Sequence, residues 1–168
     1  SDIIKTSPDS LRLTNSGPVI GIEGEEGIHI WFGVPYAEAP VDKLRWKAPR
    51  NVSSWEKVYE ATKFSNPCIQ IQSSLTGDGL AKPGDIVGNE DCLYLNIYAP
   101  AYNVNSVPRE KNKLPVMVWI HGGGNTSGMT SEYNPEKFVA SQNIILVTIS
   151  YRLGLFGWFS HPELRNKS

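Results

Sequence analysis

A mixed α/β fold, opening antiparallel and turning parallel toward the C-terminus, follows from three features of this 168-residue chain. Short runs of alternating apolar residues, separated by turn signals, fill its first third. Two continuous apolar runs of strand length, Val116 to Ile120 and Ile144 to Ile149, lie in its last third. Between those runs stands Asn134-Pro135-Glu136, an N-cap residue followed by proline at the first helical position. Strand, helix and strand at this spacing make a right-handed crossover between parallel strands.

Taken in order, Leu11 to Thr14 and Val19 to Glu23 read as two short strands around the Asn15-Ser16-Gly17-Pro18 turn. Ile28, Ile30 and Phe32 alternate with His29 and Trp31, so a third strand completes an antiparallel meander, with His29 facing outward. Pro35 and Pro40 close that section, and Val41 to Pro49 fits neither helical nor strand periodicity. A brief strand is expected around Val58. The stretch from Cys68 to Cys92 holds five Gly or Pro residues, among them Gly77, Pro83 and Gly88, and reads as a long surface loop. Leu93, Leu95 and Ile97 then alternate as a strand buried on at least one face. The Val116 to Ile120 run reads as a strand covered on both faces. The helix after Pro135 should end near Ser141 or Gln142. His161-Pro162 reads as a helix-entry turn.

Composition excludes several classes. Hydrophobic residues are 40% and charged residues 20%, which is globular rather than disordered. Sixteen basic against seventeen acidic residues give a net charge of −1, so no basic surface marks the chain for nucleic acid. No apolar run approaches the roughly 20 residues of a transmembrane helix. Two cysteines without histidines at ligand spacing make no zinc site, and neither a P-loop nor a dinucleotide fingerprint is present, so no metal or cofactor is expected. On spacing alone Cys68 and Cys92 fit either one disulfide or two buried thiols.

The chemistry-bearing motif is His121-Gly122-Gly123-Gly124, placed directly after the Trp119-Ile120 strand. Consecutive glycines permit positive φ and can turn successive N–H groups toward one anion. Without the residues of a phosphate loop, the anion best suited to such a turn is an oxyanion formed in acyl transfer. A bare glycine turn is more often a strand exit, so the surrounding motifs decide.

Those motifs agree. Phe32-Gly33-Val34-Pro35-Tyr36-Ala37, Leu44-Arg45-Trp46, Glu90-Asp91-Cys92-Leu93-Tyr94-Leu95-Asn96, Pro115 to Gly124 and Tyr151-Arg152-Leu153-Gly154 resemble, in this order, segments of the type-B carboxylesterases. The run from Gly154 to Pro162 resembles bacterial members most. The resemblance implies the N-terminal part of an α/β-hydrolase fold and ester hydrolysis by a serine nucleophile. It implies a small-molecule ester as substrate and the rest of the hydrolase domain as structural partner. Gly123 and Gly124 would supply oxyanion N–H groups, with Gly122 and His121 in support. It also implies a Cys68–Cys92 disulfide, hence a secreted or periplasmic protein, and a structural ion pair between Arg45 and Glu90. Asp91 with Arg152 is a weaker second pair.

The nucleophile motif G-x-S-x-G does not occur in these residues. Residues 1–168 therefore read as one portion of a single domain, inactive alone. The alternatives are a non-catalytic adhesion or binding relative and an inactive truncated product. The glycine turn argues against the adhesion reading. The Cys68–Cys92 stretch lacks the tryptophan of cholinesterases. Asn51, Asn125 and Asn166 each open a glycosylation sequon.

Overall fold

The computed structural model describes residues 5–73, 76 and 81–165. Its strands are β1 (Arg12–Leu13), β2 (Pro18–Ile20), β3 (Ile22–Glu23), β4 (Ile28–Pro35), β5 (Tyr59–Glu60), β6 (Gln70–Ile71), β7 (Ile86–Val87), β8 (Tyr94–Pro100), β9 (Val116–Ile120) and β10 (Ile145–Ile149). The helices are α1 (Glu136–Gln142), α2 (Gly154–Trp158) and α3 (Pro162–Arg165). The central sheet has the order β3-β4-β8-β10-β9. It is antiparallel from β3 to β10 and parallel between β10 and β9.

Helix α1 makes the crossover from β9 to β10. Pro135 takes the N-cap position rather than the first helical one, and the Asn134 side chain, one residue earlier, accepts the Glu136 N–H at 3.1 Å in a turn that leads into the helix. Asn143 ends the helix in the left-handed region, its N–H donating to the Val139 carbonyl. Val139 is fully buried against Ile28, Ile30, Tyr98 and Leu146, which form one face of the sheet. The opposite face packs Trp31 and Val34 against Val19 and Ala61, under the small sheet β1-β2-β5. Removing roughly 1.5–3 kcal/mol worth of apolar surface per large side chain, these two layers hold the fold.

Three expectations need correction. Val19 to Glu23 is not one strand. It divides at Gly21 between two sheets, because the backbone there lies so close to β4 that a Cβ would meet the Ile30 carbonyl at 2.1 Å. His29 does not face solvent. It is buried, because the segment carrying Ser10 and Arg12 lies over that side of β4; Trp31 donates to the Ser10 carbonyl and the Arg12 guanidinium stacks on the Trp31 ring. Asp91 and Arg152 do not pair: burial, with the Asp91 carboxylate, pushes the Tyr94 phenol above its ordinary value, and Arg152 donates to the Lys47 carbonyl. Among the described residues strand β9 is the sheet's edge, and all five of its apolar residues are 43–63% exposed.

The stretch between the cysteines is more regular than a plain loop, since β6 and β7 pair antiparallel inside it. Among the described residues no helix is long and apolar enough to cross a membrane, and no cluster of side chains could hold a metal ion.

Candidate active site

The glycine turn sits at the carboxyl end of β9, where β9 and its parallel partner β10 finish together with Ile120 opposite Ile149. His121 closes the strand and is buried. The chain then turns back through Gly123 at φ +112° and Gly124 at +60°. The Gly123 carbonyl accepts the N–H groups of Thr126 and Ser127 at 3.0 and 3.2 Å. That closure leaves no room for a side chain at Gly123, where a Cβ would lie 1.9 Å from the Ser127 carbonyl oxygen. The N–H groups of Gly122, Gly123 and Gly124 have no acceptor among the described residues. Gly122 and Gly124 are exposed, and Gly123 is half-buried.

Polar contacts with distant parts of the chain hold the turn. His121 Nδ1 donates to the Gly122 carbonyl at 2.8 Å, which assigns the proton to Nδ1, since a carbonyl has none to give. The Tyr151 ring stacks on His121 with centroids 4.5 Å apart, and its hydroxyl donates to the His121 carbonyl at 2.5 Å. Burial pushes the Tyr151 phenol above its ordinary value, so it remains a neutral donor. The Asn125 carbonyl accepts from the Gly154 N–H at 2.8 Å and from Trp158 Nε1 at 3.1 Å, both on α2. Gly128 closes the turn at φ +122°, its backbone against the His121 ring.

Behind the turn, Asn96 of β8 is buried at the centre of a polar node. Its amide donates to Thr130 and Thr148 at 3.0 Å each and accepts the Gly33 N–H at 2.9 Å. It thus ties β4, β8 and β10 to the segment leaving the turn. Sequence reasoning used Asn96 only as a motif letter, and it passed over Gln70, whose side chain reaches Gly128.

A disulfide joins Cys68 to Cys92, closing a separation of 24 residues. Arg45 meets Glu90 through two hydrogen bonds, Nε to Oε2 at 2.6 Å and Nη2 to Oε1. Its guanidinium also lies over the Trp46 and Phe156 rings, so the pair connects the cysteine loop with α2. His161 is exposed and accepts the Glu163 N–H at 3.3 Å, capping α3. A largely apolar cavity of about 370 Å³ opens beside Val116 and Ile145, at the other end of β9 and β10 from the glycine turn.

A mixed sheet with a glycine-rich turn at the carboxyl end of a parallel strand places the chain among α/β-hydrolases. The model of the carboxylesterase family matches residues 8–166, and the chain belongs to that family. It is 41% identical over 162 residues to a cocaine esterase of Oryctolagus cuniculus, covering 92% of this chain and 30% of that one. It is also 41% identical over 160 residues to the para-nitrobenzyl esterase of Bacillus subtilis (strain 168), covering 94% and 30%. Among solved structures, a thermophilic PNB esterase superposes with a TM-score of 0.77 at 39% identity, covering 92% and 30%. A Geobacillus stearothermophilus carboxylesterase does so at 0.69 and 33%, covering 89% and 28%. The chain therefore spans about 30% of the length of the relatives it matches.

Proposed function

We propose that the whole protein hydrolyses carboxylic esters through a serine acyl-enzyme, and that this span supplies its oxyanion hole. The observation that carries the reading is the glycine turn, whose Gly122 to Gly124 N–H groups have no acceptor among the described residues. As the nucleophile attacks, the substrate carbonyl oxygen gains negative charge. The Gly123 and Gly124 N–H groups receive it, and a third donor follows the serine. The turn is fixed before substrate arrives, so little reorganisation accompanies the reaction. His121, its Nδ1 proton committed to the Gly122 carbonyl, positions the turn and is not the general base. The serine, acid and base lie outside these 168 residues, so the span alone is inactive. The disulfide fits an oxidising compartment, secreted, lumenal or periplasmic.

The test is full-length protein against short-chain p-nitrophenyl esters. The expected result is a p-nitrophenol burst stoichiometric with protein, abolished by an organophosphate. Full-length protein that folds, hydrolyses no ester and takes up no organophosphate would overturn the reading.

A further inference from the structure

The Gln70 side chain makes contacts that the scheme above leaves unused. It is buried, and all its amide hydrogen-bonding atoms are engaged. Its Oε1 accepts the Gly128 N–H at 2.7 Å, and its Nε2 donates to the Gly128 carbonyl at 3.0 Å. The second Nε2 hydrogen goes to the Cys68 carbonyl at 2.9 Å. Backbone donors and acceptors fix which end of the amide points where. Gln70 thus binds Gly128 as a neighbouring strand would, across 58 residues of sequence.

Gly128 is not a passive partner. Its φ of +122° brings its backbone against His121, so that a Cβ would lie 2.3 Å from Nδ1. That same nitrogen donates to the Gly122 carbonyl. A continuous line of contact therefore runs from Gln70 through Gly128 and His121 to the glycine turn. At its other end Gln70 is fixed by Cys68, whose disulfide to Cys92 anchors the loop.

We propose that Gln70 is a positioning residue for ester hydrolysis, setting the oxyanion turn through its paired hydrogen bonds to Gly128. The inference rests on the esterase reading above. Displacing catalytic donors by a fraction of an ångström weakens binding of the tetrahedral oxyanion while leaving ground-state binding nearly unchanged. Loss of Gln70 should therefore lower kcat and spare KM, which loss of folded protein would not do once rates are normalised to titrated active sites.

The experiment compares full-length wild type with Gln70→Met, Gln70→Glu and Gly123→Ala, each normalised by stoichiometric organophosphate labelling. For Gln70→Met, kcat should fall about tenfold or more with KM within about twofold. Affinity for an aryl trifluoromethyl ketone, whose adduct carries the oxyanion, should fall in parallel. Gln70→Glu adds a second readout. When protonated, the introduced carboxyl accepts the Gly128 N–H and donates to the Gly128 carbonyl; when ionised, it repels that carbonyl. The variant to wild-type ratio of kcat should therefore decline as pH rises through the titration of the new group, which burial raises. Wild-type kcat and ketone affinity in Gln70→Met, or a pH-independent ratio in Gln70→Glu, would overturn the inference. Should Gln70→Met fail to fold, the ratio alone decides. Loss of activity in Gly123→Ala beside an unaffected Gln70 pair would sink this inference and leave the esterase reading standing. An inactive wild type would sink both.

Discussion

Strands β4 and β9 are both rich in large apolar residues, yet they end in opposite surroundings. β4 alternates polar and apolar residues at its start, as a half-exposed strand would, and is covered on both sides. β9 is apolar throughout, as a doubly covered strand would be, and every residue is exposed. The difference lies in what the rest of the chain brings to each. β4 receives α1 on one face and the small sheet with its preceding segment on the other. β9 has β10 on one edge, and among the described residues no buried cluster includes its side chains. The candidate site hangs from the end of the uncovered strand. Its geometry is kept by polar tethers from Gln70, Tyr151 and α2, and by the Tyr151 ring, which stacks on His121 and packs against the buried cluster of Ala37, Cys68, Cys92, Leu93 and Leu153.

If that contrast is correct, damage at the turn should cost activity, and damage behind β4 and β8 should cost stability. The largest effect belongs to Gly123→Ala in the full-length protein. The new Cβ collides with the Ser127 carbonyl, and the turn must open to admit it. kcat should fall about 10²–10³-fold, the cost of one lost oxyanion donor. Because the turn lies outside the three buried apolar clusters, the melting midpoint should move less than kcat does. Steady-state kinetics beside a thermal melt separates the two, and a large loss of stability with kcat intact would invert the comparison.

Next comes the disulfide. Replacing Cys68 and Cys92 together by alanine releases a loop whose closure is worth about 3 kcal/mol on chain-entropy grounds. Denaturant melts of the double variant should show that loss, and reductant should reproduce it in the wild type. A midpoint insensitive to both would show that the β6–β7 hairpin and the Arg45–Glu90 pair hold the loop without the bond.

Asn96→Leu tests the buried node on the opposite side of the contrast. It leaves the Gly33 N–H and two threonine hydroxyls short of a partner inside the protein. The cost should be about 1–3 kcal/mol for unmet buried groups, read as a lower unfolding midpoint, with kcat per titrated site changed less than in Gly123→Ala.

What could be read from the sequence divides along the same line. The β9–α1–β10 crossover was legible because local signals suffice: two apolar runs and an Asn-Pro pair at the helix start. The glycine turn and the cysteine pair were legible through motif context. The division of Val19 to Glu23 was not, since Gly21 gives no local sign that Ile30 lies against it. Gln70 was invisible for a similar reason. Its partner is the backbone of a glycine 58 residues away, and no side-chain pattern records a bond to backbone. Asn96 could have been suspected, because an amide between Leu95 and Ile97 on a buried strand must find partners.

The smallest expected effect concerns His29, whose burial the alternating pattern hid. Its Nδ1 has no hydrogen-bond partner among the described residues, and its ring meets Trp31 edge to face at 6.0 Å. Burial holds its pKa below the ordinary 6.5, and Arg12 adds to this, against smaller opposing effects of Glu23 and Asp9. In the unfolded chain His29 takes up a proton near pH 6.5; in the native protein it does so only at lower pH. The unfolded state therefore binds more protons across that window, and stability rises with pH through it. His29 contributes no penalty above about pH 6.5. Below that value it draws the equilibrium toward unfolding, until the native group also protonates. His29→Phe keeps an aromatic ring beside Trp31 and removes the titration. Melting midpoints of full-length wild type and variant, followed from pH 8 down to pH 5, should run parallel above neutrality. Below it they should diverge, with the wild type losing more. Profiles parallel throughout would mean that His29 protonates equally well in both states, and that the cover over this face of β4 is open to water.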